Sequence, residues 1–159
     1  MNYRQQSKNP SCQLIEIINA GIYLGLGDVS DERFLEMEKE GCCFDDGCIN
    51  IYQFYDELGI KSITPNSNDR NSLKWIKENL PVGILTNVSC FHRSLIVDVE
   101  YDRLTIINHD LGNYKYGNAT LSFGELLDLA IKPFVRKNGR ITKKRIPRLQ
   151  EIAYKIKTK

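Results

Sequence analysis

The feature that most constrains this chain is a change of hydrophobic period near Pro81. Before it, apolar residues recur at three- and four-residue spacing. After it come VGILTNV, RSLIVDVEY and RLTIIN, runs rich in Val, Ile, Leu and Thr. The first pattern gathers apolar side chains on one face of a helix, whereas β-branched runs bounded by turns read as strands. A connection as short as Tyr101 and Asp102 can only join antiparallel strands, because a parallel pair needs a crossover of about a dozen residues or more. The sequence therefore predicts an α+β fold in which an N-terminal helical layer packs on one face of an antiparallel sheet.

In the first half, Leu14, Ile15, Ile17, Ile18, Ile22 and Tyr23 predict a largely buried helix from Cys12 to Leu24, with Pro10 and Ser11 as its start signals. Ser30 can cap a second helix, DERFLEMEKE, which stops at Gly41. A third, INIYQFYDEL, is closed by Gly59 and followed by the short strand KSIT. A short helix from Ser72 to Leu80 is ended by Pro81. Beyond the three long strands, GNYKYGNATL reads as a turn plus a strand, and Ser122 begins the helix FGELLDLAI. One domain over residues 1–135 is expected, followed by a basic extension over 136–159 predicted to be helical.

The net charge of +2 is unevenly spread. Ten basic residues and one acid, Glu151, stand from Arg136 to Lys159, so that tail is +9 and the body before it −7. Such a tail suits contact with an acidic partner or nucleic acid, or a solvated helix folded back on the acidic body. No apolar run approaches the roughly 20 residues of a membrane span, and the first residues lack the apolar stretch of a secretory signal. An intracellular, cytoplasmic protein is expected.

Five cysteines, an odd number without an export signal, argue against a disulfide framework. Cys42, Cys43 and Cys48 with Cys90 and His92 raise the thought of zinc, but the spacing lacks the paired C-x2-C that marks such sites. Cys12 stands differently, in the first turn of a buried helix, where the helix amino terminus favours a thiolate. Of the two histidines, His92 opens a strand that can hold it rigidly as a base. Asn108, sixteen residues on, ends the next strand and is returned beside it by the hairpin; it can fix the tautomer of His92, with Asp110 as a second candidate. Gln6, six positions before Cys12, can offer a side-chain amide to an oxyanion. His109 carries no such context.

In this order, Gln6, Cys12 at a helix start, His92 opening a strand and Asn108 sixteen residues later, the chain resembles the papain-like cysteine peptidases. It is most similar to the peptidase domains that remove double-glycine leader peptides from bacteriocin precursors, with LPVGILTN, FHRSLIVDV, LTIIN and Gly112 at consistent spacing over most of residues 5–130. It departs from them at Gln13, where glycine usually follows the cysteine, and at Asn108 with His109, where they carry Asp-Pro.

The resemblance implies a papain-like fold, a peptide or protein substrate, thiol-dependent amide hydrolysis and no cofactor or metal. Two other readings stand beside it. One is a catalytically silent papain-like module that binds peptides. The other is a peptidoglycan amidase, disfavoured because those enzymes usually show Asp-Cys-Ser-Gly around the nucleophile.

Overall fold

A computed structural model describes residues 1–7, 10–41 and 50–158. Helix α1 (Cys12–Tyr23) is buried along eight consecutive residues from Leu14 to Gly21, two of them the polar Glu16 and Asn19. Helix α2 (Asp31–Glu40) starts as its sequence requires, with the Ser30 side chain accepting the Arg33 N–H. A 3-10 turn over Ile51–Phe54 runs into the single-turn helix α3 (Tyr55–Leu58), which Gly59 ends in the left-handed conformation at φ 73°. Residues 42–48, which hold Cys42, Cys43 and Cys48, lie outside the described residues.

Strand β1 (Ile60–Ile63) and helix α4 (Leu73–Glu78) precede the meander β2 (Val82–Asn87), β3 (Phe91–Glu100), β4 (Arg103–Gly112) and β5 (Lys115–Ser122). Helix α5 (Phe123–Leu129) then opens on a capping box between Ser122 and Glu125. A two-stranded ribbon, β6 (Phe134–Lys137) and β7 (Arg140–Arg145), and a last strand, β8 (Ile152–Ile156), complete the order.

The six-stranded sheet has the order β1-β8-β2-β3-β4-β5, and every pair in it is antiparallel. The fold is thus α+β. Two expectations need correction. The basic tail is not helical: it forms β7 and β8, and β8 sits between β1 and β2 as an integral strand rather than an extension of a domain ending at 135. Ile152, Tyr154 and Ile156 alternate with Ala153 and Lys155 at the strand period, and two open neighbours outweigh the helical preference of the lysines.

Helices also cover both faces of the sheet. Leu95 and Tyr154 pack with α1, Met37 of α2 and Leu58 of α3. Their strand neighbours Ile96 and Ala153 pack on the other side with Ile76 of α4 and Leu126 of α5. Pleat alternation sends successive side chains to opposite faces, so one run of apolar residues feeds two cores. Among the described residues, no helix is long and apolar enough to cross a membrane.

Candidate active site

The head of α1 is pinned by polar contacts. Ser11 precedes it, accepts the Ile15 N–H through its carbonyl at 2.9 Å and donates its hydroxyl to Glu38 of α2. The chain before it is clamped as well: the Arg4 N–H donates to Asn19 Oδ1 at 2.8 Å, and Asn19 Nδ2 returns a bond to the Arg4 carbonyl at 2.9 Å. Gln5 reaches Asn118 of β5 at 2.7 Å. Residues 4–6 are thereby laid across the end of the sheet, and this is why Gln6 can approach β4.

Cys12 is a half-buried free thiol. The sequence expectation of a lowered pKa is corrected here: burial pushes the thiol up, the main-chain N–H of Arg93 pulls it back, and Glu16, one turn along α1, pushes it up again. On balance its surroundings favour the neutral thiol. Its contact with the Arg93 amide places it against the third residue of β3.

His92 is buried, with 1% of its surface exposed. Its Nε2 lies 2.6 Å from the main-chain oxygen of Asn108. A carbonyl can only accept, so Nε2 carries the proton and Nδ1 keeps its lone pair. The ring stacks on Tyr116 of β5, with centroids 4.7 Å apart at 29°. Burial lowers the imidazole pKa against the opposing pull of the Asn108 carbonyl and Asp110. Among the described residues, no hydrogen bond joins His92 to Cys12.

Asn108 thus meets His92, but through its backbone and not through its amide. Its φ is 57°, a left-handed conformation that asparagine adopts more readily than most residues. The β3–β4 pairing runs to Leu95 opposite Ile107, and β4 continues to Gly112, past Asn108, where the sequence predicts its end. The side chain is engaged elsewhere: Oδ1 accepts the Gln6 N–H at 2.7 Å, and Nδ2 has no partner among the described residues. The Gln6 Oε1 is likewise buried without a partner. Gln6, Asn108 and His92 therefore form one connected group, and Cys12 touches the residue next to His92.

Asp110 approaches His92 only through charge. Burial works against its ionisation, yet the N–H groups of Gly112 and Ser89 and the Ser89 hydroxyl hold it below the usual carboxylate range. Ser89 also accepts the Tyr114 N–H at 3.0 Å, locking together the loops that flank the site. His109 is buried, with Nδ1 unpartnered among the described residues.

Sequence reasoning missed Tyr116, whose phenol is pushed up to about 12 by burial and by its neighbour Cys90. It also missed a second polar group beside the first. Arg93 Nε and Nη2 bind the two oxygens of Glu16 at 2.8 and 3.3 Å, its Nη1 donates to the Gln150 carbonyl at 2.9 Å, and the Tyr154 hydroxyl donates to Glu16. A glutamate inside LIEII and an arginine inside a strand were the available signals.

Gly83 belongs to the same group, for a Cβ there would collide with the Glu16 carboxylate. Among the described residues no three His, Cys, Asp or Glu side chains converge as metal ligands; Cys42, Cys43 and Cys48 lie outside them. No family model, curated protein or solved structure matches the chain.

Proposed function

We propose that the protein is a cysteine peptidase, or a related thiol acyl-transfer enzyme, of the papain-like kind its sequence resembles. The observation that carries this is the bond from His92 Nε2–H to the Asn108 carbonyl, which leaves Nδ1 with its lone pair, while Cys12 at the head of α1 meets the main-chain N–H of the next residue, Arg93. Cys12 is the nucleophile and His92 its base. Because burial favours the neutral thiol and the neutral imidazole, the proton moves to Nδ1 as sulfur attacks an amide carbonyl, and no resting ion pair is required.

The oxyanion is held by the Cys12 N–H and the Gln6 side-chain amide. His92 returns the proton to the leaving amine, and water then hydrolyses the thioester. Substrate entry brings thiol and imidazole into bonding reach, since catalytic hydrogen bonds often tighten only in the complex.

A silent peptide-binding module is the second reading, favoured by the lack of a bond between Cys12 and His92. Incubation with a defined peptide pool, read by mass spectrometry, separates the two. New termini produced by the wild type and absent with Cys12→Ala are expected. A pool left intact by the wild type, with peptides still retained by Cys12→Ala, would establish the module instead.

A further inference from the structure

A cavity of about 450 Å³ lies where the loop after β1 meets the segment leading into β8. Arg93 contributes to its wall, so it adjoins the strand segment that touches Cys12. Its charge is unusual. Arg70 and Arg148 both line it, both are exposed, and neither guanidinium has a hydrogen-bond or ion-pair partner among the described residues. Arg93 differs: its guanidinium is consumed by Glu16 and the Gln150 carbonyl. The one acid in the lining, Glu151, is buried and accepts the Asn71 N–H at 2.7 Å.

Two arginines with uncommitted guanidinium forks lining one cavity are suited to an anion with planar paired oxygens. Glu151 in the same wall reduces the local positive charge, which favours a monoanion over a phosphate dianion. The volume accommodates a few peptide residues.

We infer that this cavity receives a carboxylate on a peptide, either an acidic side chain or a C-terminal carboxylate, held by Arg70 and Arg148. The inference deepens the proposed function by naming a substrate class, and it rests on that reading only for calling the peptide a substrate.

Binding is therefore measured without turnover. The full chain carrying Cys12→Ala is titrated, by calorimetry and by amide NMR, with four versions of one pentapeptide. Three are acetylated and amidated with a central Glu, Gln or phosphoserine; the fourth is acetylated with Gln and a free C-terminus. The Glu or the free-acid peptide is expected to bind about tenfold tighter than the capped Gln peptide, as a charge-assisted pair supplies. Which of the two gains affinity identifies the source of the carboxylate. The preference should vanish in Arg70→Ala with Arg148→Ala, both surface side chains, while the amide spectrum elsewhere stays unchanged, and the shifts should centre on Asn71 and Glu151.

Equal affinities for all four, tighter binding of phosphoserine, or a preference indifferent to both arginines would overturn the assignment. Failure of the peptidase reading leaves a different mark, a carboxylate preference that persists in a protein that cuts nothing.

Discussion

Glu16, which binds Arg93 from α1, and His92, the residue before Arg93, are both buried, yet their surroundings differ in kind. Around Glu16 nearly every polar atom is answered: Arg93 with two of its nitrogens, Tyr154 with its hydroxyl, and the Gln150 carbonyl with the rest of the guanidinium. Around His92, the Gln6 Oε1, the Asn108 Nδ2 and the His109 Nδ1 are buried and unanswered among the described residues. Buried polar atoms without partners are uncommon and costly, so a satisfied network reads as architecture and an unsatisfied one as a place awaiting a ligand. Mutations should divide along that line, one set moving stability and the other moving chemistry.

The largest effect is expected on chemistry. Cys12→Ala or His92→Ala should lower turnover of any cleaved peptide by about 10⁴-fold or more, as for a nucleophile and base acting as a unit. Unfolding free energy should change by no more than about 1 kcal/mol for Cys12→Ala, since a half-buried thiol loses little packing. Comparable losses of stability and activity would mean that the two clusters are one structural unit.

Glu16→Ala tests the other side. It strands the buried Arg93 charge, so a loss of about 3–5 kcal/mol is expected in urea unfolding. Gly83→Ala should cost about 1–3 kcal/mol through overpacking against the Glu16 carboxylate. That cost should largely disappear when Gly83→Ala is made on Glu16→Ala, a coupling a double-mutant cycle reads directly. Additive losses would show that the glycine is not there to admit the carboxylate.

This contrast also shows where sequence is informative. Local signals served well: Ser30, Ser72 and Ser122 each accept an N–H as caps, and Gly59 closes its helix as a left-handed residue. The meander was legible because its connections are short. The fate of β8 was not, because its neighbours β1 and β2 are brought to it by tertiary folding, and the count of lysines obscured its period-2 pattern. Glu16 and Arg93 lie 77 positions apart, and no local rule pairs them. At the site, residue identities pointed to one end of the sheet, but not to which atom of Asn108 meets His92. A main-chain carbonyl has no sequence signature beyond the readiness of asparagine to take a positive φ.

Asn108 therefore sharpens the comparison at a finer grain. If its carbonyl orients His92, Asn108→Gly keeps the orienting group and the left-handed backbone, and turnover should fall less than about tenfold. Asn108→Ala should cost about 1 kcal/mol more in stability than Asn108→Gly, because alanine is strained at this φ. A loss near 10⁴-fold for Asn108→Gly, as when the group fixing a catalytic tautomer is removed, would return the orienting role to the side-chain amide.

The smallest effect concerns pH. His92 and His109 have pKa values depressed by burial, so folding favours their neutral forms; that stability is present above about pH 6.5 and is lost as the pH falls through their folded values. The Cys12 thiol is raised, so its contribution is present below about pH 8.5 and is lost as the pH rises through its folded value. Urea midpoints across this range should form a plateau that declines on both sides. Cys12→Ala should flatten only the alkaline decline, and His92→Phe should weaken only the acid one. If both variants left the profile unchanged, the thiol and the imidazole would be better solvated than their positions imply. Alkylation of Cys12 against pH would then show a midpoint within the ordinary thiol range.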